Sequence, residues 1–290
     1  MYCRYRVLWS DKLKYEEKKR FCELFLCTVL GIVLILQGCG QQEEFKKREI
    51  KIEEKTPEDQ SKPKIKYLTD IRILSAGTIV EKEQINLQKL LDYFTIEEIS
   101  EEIFDKINGK TYVENSHIGI EDLRYLKVLH YNYDHQIQVG ELIVNEQIAE
   151  DCKQIFTELF MQEYEIASMY LLEKYWTGDG VTTDTASIEQ NNSSAFNYRV
   201  VPGTDSLSNH AKGYAIDLNP LQNPYVTYRK DGSFRTYYKD MEKYIDRSSG
   251  AVHMITHEDA AYQTFTKYGF TWGGDWQSSK DYQHFQKVVE

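Results

Sequence analysis

From Ser208 to Asp217 the chain reads Ser208-Asn209-His210-Ala211-Lys212-Gly213-Tyr214-Ala215-Ile216-Asp217, an S-x-H-x-x-G-x-A-x-D pattern. This stretch restricts the fold more than any other. Gly213 permits a turn or a close backbone approach. From Tyr214 onward a strand would alternate faces, so Ala215 and Asp217 share one face and Tyr214 and Ile216 the other. The small Ala215 leaves room beside Asp217, and His210 enters from the preceding loop. A second histidine, His284, sits in a candidate strand near the C-terminus, Tyr282–Val288. If the two strands pair, His210, Asp217 and His284 converge. Two imidazoles and one carboxylate suffice for a catalytic zinc site with a fourth position left for water.

Zn2+ in such a site lowers the pKa of its water to about 7. A separate carboxylate then has to accept a proton. The candidate is Asp275, in the Gly-Gly turn Trp272-Gly273-Gly274-Asp275-Trp276. Burial between the two tryptophans would raise its pKa and suit it to acid–base work. Arg199 is the candidate cation for the oxyanion that develops in amide hydrolysis. His253 and His257 form a rival pair at i, i+4 spacing, but Thr256 reads as a helix start, which leaves His253 outside that helix. His117, His130 and His135 lie in polar or mixed segments and are expected at the surface or at caps.

The N-terminus bears on compartment. Residues 1–20 carry seven Lys/Arg against three acids, followed by an uncharged apolar run from Leu24 to Leu36. That run is short for a membrane span and suits a signal-peptide core. It ends in Leu36-Gln37-Gly38-Cys39, which resembles the bacterial lipobox, in which the cysteine is lipidated. Residues 1–38 are therefore expected to be a lipoprotein signal peptide and Cys39 the lipidation site. The rest of the chain would be held on the outer face of the bacterial cytoplasmic membrane. Removing residues 1–38 removes seven basic and four acidic groups and takes the net charge from −11 to −14. Such an acidic chain is poorly suited to nucleic acid, which needs Lys/Arg stripes for its phosphates. Of the five cysteines only Cys152 then remains in the folded part, so no intramolecular disulfide forms. It sits in an apolar periodic stretch and is expected to be a buried structural thiol.

Residues 39–66 are rich in charges of both signs and read as a solvated tether. Residues 67–100, with Leu87, Leu90, Leu91 and Phe94 at helical spacing, form an N-terminal extension of no evident role. Residues 101–290 form the main domain. There Ile120–Leu126 reads as a short helix and Ile137–Val144 as a strand. Asn145 and Glu146 open a long helix with an apolar stripe of Ile148, Cys152, Ile155, Phe156, Leu159 and Phe160. Residues 177–194 are polar and read as a surface loop. Tyr198–Val201 and Tyr214–Leu218 read as strands, and His257–Lys267 as a helix with Thr256 as its N-cap. Short strands interleaved with helices predict an α+β domain on a small, mainly antiparallel sheet with flanking helices.

The set Ser208-x-His210-x-x-Gly213-x-Ala215-x-Asp217, with Asp275 and His284-Phe285, resembles the VanY-like D-alanyl-D-alanine carboxypeptidase and L-alanyl-D-glutamate endopeptidase family of zinc peptidases. These share their metal-site fold with lysostaphin-type peptidases and the hedgehog signalling domain. The resemblance covers roughly residues 101–290. It implies that His210, Asp217 and His284 ligate zinc, that Asp275 is the general base and that Arg199 stabilises the oxyanion. Many relatives place that base on a Glu much closer to the last histidine. The implied substrates are the stem peptides of bacterial peptidoglycan, cut by a chain expected to act as a monomer. The carboxypeptidase reaction, trimming a terminal D-Ala, is the first expectation, with Lys212 or Arg229 as candidates to hold the free carboxylate. Cleavage between L-Ala and D-Glu is the alternative. From another class, the chain could be a non-catalytic zinc-bearing lipoprotein that binds cell wall, or an adaptor that works through residues 67–100.

Overall fold

The computed structural model describes residues 66–289, which fall within one compact unit. The expected signal peptide, Cys39 and all of the charged tether except Lys66 lie outside the described residues. No helix among the described residues is long and apolar enough to cross a membrane.

A four-stranded antiparallel sheet organises the first half. Its strands are β1 (Ile79–Val80), β2 (Thr95–Glu98), β3 (Leu123–Tyr131) and β4 (Ile137–Asn145), in the order β1-β4-β3-β2. Residues 67–100 thus supply both edge strands, and the sheet crosses the boundary placed at residue 101. Helix α1 (Glu101–Ile107) follows β2, capped by the Ser100 side chain. The stretch from Ile120 is not a helix. A single 3-10 turn, Ile120–Asp122, leads into β3, whose Leu126 and Val128 face the core.

Helix α2 (Glu146–Met161) forms where the stripe predicts. The Asn145 side chain accepts a hydrogen bond from the Gln147 amide and closes its first turn. Its buried Ile148, Cys152, Ile155, Phe156 and Leu159 pack on Leu126, Val128, Leu142 and Val144 of the sheet. Each large apolar side chain buried in this layer contributes about 1.5–3 kcal/mol. The core continues without a break into Ile216, Phe265, Trp272 and Phe285 of the second half. Cys152 is wholly buried, and burial pushes its thiol pKa up. His130 is also buried rather than at the surface, with its pKa lowered to about 4 by desolvation.

The second half is built from short pieces. β5 (Ser168–Met169) and β6 (Asn192–Ser193) pair in parallel. Between them lies helix α3 (Gly180–Glu189), where a surface loop was expected. Asp179 caps it through the amides of Val181 and Thr182, and it buries Thr183, Asp184, Ser187 and Ile188. That buried set has helical spacing but is mostly polar, so no hydrophobic periodicity marks it. Tyr198–Val201 forms no strand, because only an isolated bridge joins Val200 to Leu207.

Six further strands complete the fold: β7 (Ala215–Asp217), β8 (Tyr225–Tyr228), β9 (Phe234–Arg235), β10 (Thr271–Trp272), β11 (Ser279–Asp281) and β12 (His284–Gln286). They form two three-stranded antiparallel sheets, β10-β12-β7 and β11-β8-β9. Helix α4 (Ala260–Lys267) starts three residues after the expected His257, because Asp259 rather than Thr256 provides the cap. The whole is an α+β fold on small antiparallel sheets, as the sequence predicts.

Candidate functional site

Pairing of β7 with β12 sets Asp217 opposite His284 and Ala215 opposite Gln286. Directly opposed residues share a face of the sheet, so the carboxylate and the imidazole stand side by side. His210 arrives on the 3-10 turn His210–Lys212, which ends at Gly213 with φ +72°. A side chain at 213 would be strained at that φ, and its Cβ would lie 2.5 Å from the Asn145 amide nitrogen. That amide donates to the Gly213 carbonyl at 2.9 Å, and Asn145 Nδ2 donates to Lys212 O at 3.2 Å. The residue that caps α2 therefore also clamps the loop that carries His210.

The three groups are buried and tightly clustered. His210 Nε2 lies 3.1 Å from His284 Nδ1 and 3.3 Å from Asp217 Oδ1. His284 Nδ1 lies 3.0 Å from the same oxygen. Ligands bound tetrahedrally to zinc at about 2.0–2.1 Å sit about 3.3 Å from one another. The other ring nitrogens have acceptors: His210 Nδ1 is 2.6 Å from Ala195 O, and His284 Nε2 is 2.9 Å from Gln286 Oε1. Asn209 Nδ2 donates to that same Gln286 oxygen at 2.7 Å. Neutral imidazoles held this way present both remaining lone pairs to one point, beside a carboxylate oxygen. Three acceptors facing one point suit a cation, so the donor set fits a metal ion such as zinc. Burial alone would raise the Asp217 pKa, but His210 and His284 outweigh it and hold the carboxyl well below its usual range. Burial acts to lower the His210 pKa, and Asp217 outweighs it to raise it.

These groups open into a cavity of about 230 Å³ that is also lined by Asp184, Arg199, Tyr225, Tyr237, Trp276 and Asp281. Arg199 lines this cavity, paired with Asp184 of α3 at 2.6 Å with both side chains nearly buried. Asp281 ends β11, opposite Tyr225 of β8. Gly273 packs so closely on this strand that a Cβ there would lie 2.6 Å from the Asp281 carbonyl oxygen. The Asp281 Oδ1 is buried with no hydrogen-bond partner. Burial, then the nearby Asp217 charge, pushes its pKa up to about 7.

Asp275 does not occupy the environment expected of it. Its side chain is 49% exposed and bonded to His257 at 2.7 Å, and it is not among the cavity-lining residues. The 3-10 turn Gly273–Asp275 carries it outward while Trp272 packs inward on Tyr282 and Phe285. The rival histidines part company too: His253 bonds Glu165 at 2.8 Å, whereas His257 bonds Asp275. Neither Lys212 nor Arg229 lines the cavity. Sequence reasoning missed two lining carboxylates. Asp184 lay in the stretch taken for a loop. Asp281 carried a usable signal, a carboxylate three positions before His284.

A buried His–Asp–His set opening into a cleft with a desolvated carboxylate and a guanidinium held by Asp184 is suited to metal-assisted hydrolysis. The comparison with known families narrows this. Residues 202–287 match the family model described as D-alanyl-D-alanine carboxypeptidase, the VanY-like family that the sequence resembles, and the match supports a peptidase. The matched segment contains His210, Asp217, Asp281 and His284, while Arg199 lies just before it. No curated protein and no solved structure matches the chain.

Proposed function

We propose that the protein is a zinc-dependent peptidase that hydrolyses the stem peptides of bacterial peptidoglycan. The observation that carries this reading is the buried set of His210 Nε2, His284 Nδ1 and Asp217 Oδ1, spaced 3.0–3.3 Å apart beside Asp281. His210, Asp217 and His284 would hold the ion. Zinc bound there supplies a Lewis acid that acidifies water at neutral pH.

The chain's own residues supply the rest. Asp281, rather than Asp275, takes a proton from the attacking water and returns it to the leaving amine. A pKa near 7 lets one carboxyl do both near neutral pH. Arg199 is held in place by Asp184 and presents positive charge at the cleft, where the carbonyl oxygen gains negative charge. The Gln286–His284 and Ala195–His210 hydrogen bonds fix the rings. In the reading from sequence, Cys39 carries the lipid that holds the enzyme at the outer face of the membrane, near its substrate.

Two bonds are open to such an enzyme. The family match names the carboxypeptidase reaction, removal of the terminal D-Ala. Among the described residues Arg199 is the one Lys/Arg that lines the cavity, and Asp184 engages its Nη2, so a terminal carboxylate and the oxyanion would compete for one guanidinium, which supports the alternative, a cut between L-Ala and D-Glu. Purified muropeptides incubated with the protein, with and without a chelator, decide between them by mass spectrometry. Loss of one alanine identifies the carboxypeptidase, and free L-Ala-terminated fragments the endopeptidase. Intact muropeptides with zinc-loaded protein contradict both.

A further inference from the structure

We propose that Tyr237 is a catalytic hydrogen-bond donor whose phenol binds the carbonyl oxygen of the scissile peptide as that oxygen gains negative charge. The inference rests on the peptidase reading and adds a residue to it.

Tyr237 lies between β9 and the 3-10 helix Lys239–Tyr244. Its neighbours pin it. Thr236 Oγ1 donates to Tyr238 O at 2.8 Å, and the Tyr238 hydroxyl donates to Thr185 O of α3 at 3.2 Å. The adjacent residue of α3, Asp184, is the one that holds Arg199. One helix thus positions both Arg199 and the segment that carries Tyr237. The ring lies against Tyr225, with centroids 6.2 Å apart, and Tyr225 is the cross-strand partner of Asp281.

Tyr237 lines the same cavity as His210, Asp217, Asp281 and His284. The residue is 42% exposed, yet its phenol is partly desolvated and close enough to feel Asp184, Asp281, Arg199 and Asp217. Burial first, and then the aspartates, push the phenol pKa up, so the group remains a neutral donor at working pH. Among the described residues its hydroxyl has no protein hydrogen-bond partner. Arg199 has its Nη2 committed to Asp184 at 2.6 Å and its Nη1 directed to Val200 O at 3.4 Å, which leaves its buried Nε as the unpartnered donor of that side chain. A neutral O–H adds a second donor to the cleft without adding charge. Tyr237 transfers no proton in this role. It keeps its hydrogen and strengthens one bond as the oxygen becomes anionic.

The test uses the full-length chain loaded with Zn2+ and a synthetic stem pentapeptide, comparing Tyr237→Phe with wild type. Removing one oxyanion donor typically lowers kcat about 100-fold or more. Tyr237→Phe is expected to show that fall in kcat, with KM, zinc content and melting temperature nearly unchanged. Its affinity for a phosphinate peptide analogue, which mimics the tetrahedral anion, is expected to fall at least about tenfold. Equal kcat and equal phosphinate affinity for Tyr237→Phe and wild type overturn the inference alone. A wild-type protein that cleaves no stem peptide and binds no phosphinate overturns the peptidase reading, and this inference with it.

Discussion

Asp281→Asn gives the most discriminating prediction, because it moves stability and activity in opposite directions. The Asp281 carboxyl has its pKa raised from 3.8 to about 7 in the folded, metal-free protein. A group whose folded pKa is raised contributes its full stability below the unfolded pKa and loses it as pH rises through the folded value. Ionised Asp281 therefore destabilises the metal-free fold at pH 8. A shift of about three units corresponds to about 4 kcal/mol at 1.36 kcal/mol per unit, taken as an upper figure. The isosteric amide cannot ionise and so escapes this penalty. Metal-free Asp281→Asn is expected to be more stable than wild type at pH 8, by up to about 4 kcal/mol. The gain should shrink to about 1–2 kcal/mol at pH 5 and vanish near pH 3, where both states of wild type are protonated. Chemical denaturation of the two proteins, stripped of metal, at these three pH values measures it. With zinc restored, the same variant should lose about 10²–10⁴-fold in kcat while still binding the metal, since its general base is gone. A variant less stable than wild type at pH 8, or one with full activity, would refute the reasoning that Asp281 is a desolvated acid–base group.

Other substitutions probe separate links. Asp275→Ala should leave kcat within about threefold of wild type and cost less than about 1 kcal/mol, as for an exposed ion pair. A complete loss of turnover with zinc retained would return the proton-transfer role to Asp275. Gly213→Ala forces a side chain into left-handed backbone and against the Asn145 amide. It should cost at least about 2 kcal/mol and weaken zinc binding, read by denaturation and by metal titration. Unchanged stability there would mean that the loop carrying His210 is not clamped to α2.

Much of the site is legible in the sequence, because Gly213, Ala215 and Asp217 encode a turn followed by period-two alternation, and His284 sits in a strand that can pair with it. The pairing register is the one that brings His284 opposite Asp217. The long helix is legible for the same reason, since Asn145 and the apolar stripe mark its cap and buried face. Helix α3 is not, because its buried face is made of Thr183, Asp184 and Ser187, whose burial depends on polar partners outside the helix such as Arg199 and Asn192. The burial expected of Asp275 fails on a direction. A Gly-Gly turn between tryptophans suggests burial, but only Trp272 turns inward, and Asp275 points to His257. Three residues before His284, Asp281 is placed in the cleft by strand pairing and by the close packing of Gly273, neither of which a single sequence displays.

The central claim is that hydrolysis depends on a metal held by His210, Asp217 and His284. Titrating metal-free protein with Zn2+ while following cleavage of a stem pentapeptide tests it directly, with His284→Ala as the companion variant. The account predicts activity that rises to a plateau at one zinc per chain and is absent from the variant. Cleavage that persists without metal, or zinc bound at one equivalent with no cleavage, would contradict it.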